Sequence, residues 1–107
     1  IEFAREAILL KPDYGKAYMQ LGDAIINARE KLGDDFQQRT AYWAAADMYK
    51  KAASVDPSLD GDARQRLNTY EGQFPNQEEV FFRDLNDGDS YRVEGCINQS
   101  TTVRSRK

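Results

Sequence analysis

The stretch from Lys11 to Pro57 constrains this chain most, because it carries two apolar rhythms of helical period with a glycine between them. In the first, Tyr18, Leu21, Ile25, Ala28 and Leu32 recur in steps of three, four, three and four, which puts them on one side of a helix. In the second, Tyr42, Ala45, Tyr49 and Ala52 keep the same rhythm, flanked by Trp43, Ala46, Met48 and Ala53. Rings alternating with alanines suit close helix packing, since each ring needs a small residue opposite it to reach native density. Gly33 stands where a left-handed C-terminal cap is expected, and Asp56-Pro57 ends the second helix. The expected unit is an antiparallel helical hairpin. Its first helix starts near Tyr14, and its turn runs over Asp34 to Arg39 with Phe36 folding back across the open end. Its second helix starts at Arg39 or Thr40 and shows Asp47, Lys50 and Lys51 on a polar face.

The flanks follow the same logic. Glu2 to Leu10 reads as the end of a helix, with Phe3, Ala4, Ala7 and Ile8 at helical spacing. A third helix is expected from Leu59 or Asp60 to Glu71, with Ala63, Leu67 and Tyr70 as its narrow stripe and Phe74 beyond a capping Gly72. Asn76 followed by Glu79 has capping-box spacing, so a short fourth helix should cover Gln77 to Leu85 and bury Val80, Phe81 or Phe82, and Leu85. From Ser90 the period falls to two at Tyr91, Val93 and then Ile97, with Gly95 as a bulge, Asn98-Gln99-Ser100 as a turn and Thr101 to Arg104 as a second strand. An isolated β-hairpin is marginal in water, so this one should lean on Phe81 or Phe82, or add to another sheet. The expected division is a helical region over 1–74, with the extended hairpin over 12–57 and a capping helix over 59–72, and a C-terminal extension over 75–107.

A chain of 107 residues suits one domain with a modest core. It opens on Ile1 without an initiator methionine and is read as a C-terminal fragment of a longer protein. A formal net charge of −3 argues against nucleic acid as a partner. No apolar run approaches the ~20 residues of a membrane span. Charge is uneven: Asp56 to Asp89 holds nine acids against three arginines, whereas Arg104, Arg106 and Lys107 form a basic end. Such asymmetry either steers a basic partner or is plain solvated surface. The absence of histidine removes the commonest general base and metal ligand. There is no glycine-rich phosphate loop and no nucleophile elbow. Asp34-Asp35 and Glu78-Glu79 are explained by a turn and a helix start, where negative charge is favoured. Asp84 to Asp89 lacks the spacing of a calcium loop. The expectation is therefore a non-enzyme without cofactor or metal. Cys96 is alone, so no internal disulfide can form, and it reads as a small strand residue, with a reactive thiol as the alternative.

These residues together resemble the tetratricopeptide repeat family, a helix pair of about 34 residues. Tyr18 stands in the tryptophan position of that repeat, Leu21 and Gly22 match its Leu-Gly pair, and Ile25 takes the tyrosine place. In the second helix Ala45, Tyr49, Ala52 and Pro57 match the small, aromatic, small and proline positions. Independently of any family, a mid-helix Gly22 forgoes about 1 kcal/mol of helix propensity and is expected only where a neighbour packs closely. Upstream, Ala7 and Pro12 match the end of a preceding repeat. Downstream, Ala63 and Tyr70 match partly, but Arg66 and Leu67 replace Leu-Gly, which makes that helix a cap. The unit is about 11 residues longer than the standard repeat. The surplus falls between Ile26 and Ala44, so both helices should run longer and the turn should project.

The resemblance implies a mainly α fold, a fragment of an α-α superhelix, acting as a scaffold that binds a protein or peptide on the inner face of its repeat helices. Transferred by position, that face carries Lys16, Met19, Asp23, Ile26, Asn27, Arg64 and Asn68. Met19 and Ile26 would supply apolar contact, Lys16 and Arg64 charge, and Asn27 and Asn68 hydrogen bonds to a peptide backbone. Met19 and Asp23 occupy two places of the clamp that grips C-terminal carboxylates in chaperone-binding members, so that clamp is not matched. The alternative is a capping or self-associating segment of a longer solenoid, packing through Ile1, Phe3 and Ile8. The tail pattern FFxxLxxGDxYxVxG, from Phe81 to Gly95, looks similar to C-terminal segments of repeat proteins in Bacteroides-group bacteria. That likeness implies a periplasmic or cell-envelope setting, with the cytoplasm as the alternative.

Overall fold

The apolar rhythms of the long central stretch form helices that pack directly on each other. A computed structural model describes residues 1–106. It contains α1 (Glu2–Leu10), α2 (Gly15–Ala28) continued by a 3-10 turn over Arg29–Lys31, α3 (Asp35–Val55), a second 3-10 turn over Pro57–Leu59, α4 (Asp60–Glu71) and α5 (Gln77–Phe82). Strands β1 (Ser90–Val93) and β2 (Gln99–Thr102) pair antiparallel, with Ser90 opposite Thr102 and Val93 opposite Gln99. The chain is mainly helical with one small sheet. Among the described residues no helix is long and apolar enough to cross a membrane.

Helices α2 and α3 run antiparallel. Gly15 lies against Ala52 and Asp56, Gly22 against Tyr49, and the Arg29 guanidinium over the Tyr42 ring at 5.6 Å. The close approach at Gly22 is severe, since a Cβ built there would sit 2.6 Å from the Tyr49 ring. Ile25 and Tyr49 are fully buried at this seam.

The turn between these helices is shorter than expected. Asp34 is the N-cap of α3, not the start of a turn: its carboxylate accepts from the Gln37 amide at 2.8 Å, and the Gln37 side chain accepts from the Asp34 amide at 3.0 Å. Gly33 adopts φ 109° just before it, the left-handed geometry expected there. The added length therefore sits in α3, which has 21 residues against 14 in α2. Phe36 belongs to the first turn of α3, buried and edge-on to Trp43 at 6.2 Å.

At the C-terminal side, α4 matches its expected bounds, and Asn76 with Glu79 forms the expected capping box. Helix α5 ends early, at Phe82, where Asp84 turns to φ 57° and the Leu85 amide returns to the Val80 carbonyl. Val80 is buried, but Phe81 and Phe82 both face solvent, contrary to expectation. Successive residues on a helix turn by about 100°. With Val80 pointing inward, the two rings that follow it are carried away from the core.

The hairpin leans on α3 instead. Trp43 donates from Nε1 to the Arg104 carbonyl at 2.7 Å, and the Tyr91 ring meets its indole edge-on at 5.6 Å. Thr101 donates to Asp47 at 2.6 Å, Arg104 pairs with Asp47 at 2.9 Å, and Val93, Ile97 and Val103 are buried. Helix α3 is thus covered on two sides, which explains its apolar run from Ala41 to Ala46 and removes Asp47 from a solvated face. Gln99 and Ser100 lie in β2, not in a turn. The connection is Glu94 to Asn98, with Gly95 at φ 70° and Asn98 at φ 45°, and Cys96 is exposed within it. Two residues of the basic end are held against the fold: Arg104 lies over the Phe74 ring at 5.5 Å, and Arg106 donates to the Gly72 carbonyl at 3.0 Å, while Lys107 lies outside the described residues. Arg5 of α1 donates to the Ile97 carbonyl, which joins the first helix to the hairpin.

Candidate functional site

A groove of about 480 Å³ opens between α2 and α4. Asp23, Ile26 and Asn27 line the α2 side, and Gln65, Arg66, Thr69 and Tyr70 line the α4 side. Of the residues expected on a binding face, the fold brings together Asp23, Ile26 and Asn27. Lys16 is exposed outside the groove, and Met19 is buried in the core, 7% exposed, so it contributes packing instead of a contact surface. Ile26 is also buried, at 6%, and serves as floor.

On α4 the groove is lined by different side chains from those expected. Arg64 is exposed and pairs with Asp60 one turn away at 2.8 Å, and Asn68 is exposed outside the groove. Their places are taken by Gln65, Arg66 and Thr69. A shift of one position rotates a side chain by about 100°, enough to move it off a groove wall. Tyr70, expected on the core stripe, bridges core and groove. Arg66 precedes it by four residues and so shares its face, a spacing that could have located it.

A polar network ties the floor of the groove to the hairpin core. Asp23 accepts from the Tyr49 hydroxyl at 2.6 Å and from Arg66 Nε and Nη2 at 3.0 and 3.3 Å. Burial of Tyr49, reinforced by its hydrogen bond to the Asp23 carboxylate, pushes its phenol well above the ordinary range. Tyr49 is therefore a neutral donor. The hydrogen bond to Asp23 likewise raises Arg66, which stays cationic. The ion pair is half-exposed, at 36% and 44% of the two side chains, so its contribution to stability is about 0–1 kcal/mol. Its structural effect is to link α2 to α4 while cancelling charge on the groove wall. Tyr70 stacks on Tyr49 with centroids 6.1 Å apart and meets Tyr42 at 5.5 Å. The exposed polar side chains lining the groove are those of Asn27, Gln65 and Thr69.

Tyr18, Leu21, Gly22, Ala45, Tyr49 and Ala52 are all buried, while Pro57 is exposed and opens the second 3-10 turn. Among the described residues no three acidic or cysteine side chains gather as a metal-ligand group. In comparisons with protein-family models, curated proteins and solved structures, nothing matches this chain.

Proposed function

We propose that this chain is a non-catalytic protein-interaction module of the tetratricopeptide type, taking an extended peptide or protein segment in the groove between α2 and α4. The observation that carries the reading is the groove wall itself. Its charges are paired off as Asp23–Arg66, an aromatic and an aliphatic side chain form its floor, and the amides of Asn27 and Gln65 stand at its rim. Side-chain amides both donate and accept, which matches the alternating groups of an extended backbone. The neutral wall favours an uncharged stretch over a terminal carboxylate.

Selection of a random phage-displayed peptide library on the whole chain tests this. Enriched peptides should shift amide resonances of α2 and α4, and Asn27→Ala or Gln65→Ala should each weaken them roughly three- to tenfold, the loss of about one hydrogen bond. Absence of enrichment, or binding indifferent to both substitutions, overturns the reading. A second reading, a capping or self-associating segment, draws on α1, where Phe3 and Leu10 are each 88% exposed. Light scattering that shows a dimer lost in Phe3→Ser would favour it.

A further inference from the structure

Helix α5 holds Phe81 and Phe82 in water at 77% and 81% exposure, with ring centroids 6.4 Å apart in edge contact. Their support is rigid. Val80 is buried beneath them, the Asn76–Glu79 capping box closes the helix start, and Arg83 is held by Asp34 at 2.8 Å and by the face of Phe36 at 4.4 Å. Large rings contribute more on burial than almost any other side chain, so an exposed pair on a fixed platform marks a contact surface.

The Phe82 ring borders two hollows. One, of about 500 Å³, contains Glu78 and Phe81. The other, of about 320 Å³, is lined by Asp34, Asp35 and Glu79 together with Arg83 and Phe36. Arg83 pairs with Asp34 and Arg39 with Asp35, so the unbalanced charge around the rings is that of Glu78, Glu79 and Asp84. Glu78 is exposed, and Asp84 is exposed just beyond the helix. Aromatic faces add a negative quadrupole to this field.

The geometry points to α5 as a docking surface for a cationic amphipathic segment of a partner protein. An apolar side chain of that segment covers Phe81 and Phe82, and lysine or arginine side chains enter the hollows on either side of Phe82. Charge selects this occupant. A two-fold contact of this face with its own copy would set Glu78 and Asp84 against the same carboxylates. An anionic lipid surface would be repelled for the same reason. The surface is separate from the α2–α4 groove and uses none of its residues.

Fluorescence anisotropy of two labelled helical peptides against the whole chain tests the inference. The peptides share one leucine pattern and differ only in carrying lysine or glutamate on the polar face. The lysine peptide should bind and the glutamate peptide should not, with affinity falling as salt rises. Phe82→Ser should weaken binding roughly tenfold or more, and Glu78→Lys roughly threefold or more. Both residues are exposed, so circular dichroism should stay unchanged. Asn27→Ala should leave this binding intact, which separates its failure from that of the groove. Equal binding of both peptides, or indifference to Phe82→Ser, overturns the proposal. So does a dimer in sedimentation that Phe82→Ser dissolves, which would give the face to a second copy.

Discussion

Gly22 and Tyr49 show how much a single contact can demand of two residues. The glycine admits the Tyr49 ring, and the ring cannot withdraw, because it is fully buried, stacked on Tyr70 and tied by its hydroxyl to Asp23. A methyl group at Gly22 would therefore overpack the seam, at about 1–3 kcal/mol. The alanine would return about 1 kcal/mol of helix propensity. The first effect wins, so Gly22→Ala should lower the urea midpoint of unfolding. A raised midpoint would show that the seam yields. That Gly22 exists for packing was legible from its place inside an apolar helix. Its partner was not, because helical period records which side of a helix is apolar, and not what lies across from it.

At the next scale, the start of α3 gathers several functions on Asp34. It caps the helix through Gln37 and holds Arg83 beside α5. The hydrogen bond from Arg83, followed by that from the Gln37 amide, holds the Asp34 carboxyl below its usual range. A depressed folded value stabilises the fold above the unfolded carboxyl range, about pH 4, and that contribution is lost as pH falls through the folded value. In Arg83→Gln the Asp34 carboxyl should titrate nearer its ordinary range by carbon-detected NMR. The variant should be less stable than the parent at neutral pH, and the gap should narrow as pH falls below the ordinary carboxyl range. An unchanged Asp34 titration would remove Arg83 as the cause. The start of α3 was readable in principle, since Asp34 and Gln37 have capping spacing. It was masked by Gly33-Asp34-Asp35, which equally resembles a turn.

Over the whole molecule, the radius of gyration is 13.5 Å, close to the ~13 Å of a compact chain of this length. The C-terminal extension thus folds back instead of trailing. Its anchor is the single tryptophan, placed between Phe36, Tyr91 and the Arg104 carbonyl. Trp43 fluorescence reports hairpin docking, and far-ultraviolet circular dichroism reports the helices. In the parent the two urea curves should coincide, as one cooperative unit requires. Asp47→Ala removes the acceptor of Thr101 and the partner of Arg104, so the fluorescence transition should then come first. Separate curves in the parent would make the hairpin an independent, weaker unit.

The hairpin of α2 and α3, the cap at Gly33, the extent of α4 and the switch to period two after Ser90 follow from the sequence alone. Each rests on neighbours within a few residues, where backbone preference and apolar spacing act directly. Only the tertiary structure decided that β1 and β2 cover the second side of α3, that Phe81 and Phe82 point outward, and that Gln65 and Thr69 line the groove while Arg64 and Asn68 do not. These depend on which of several apolar surfaces meets which, a competition among contacts distant in the chain. A helical stripe is broad enough to satisfy more than one of them, and a rotation of one residue changes the outcome.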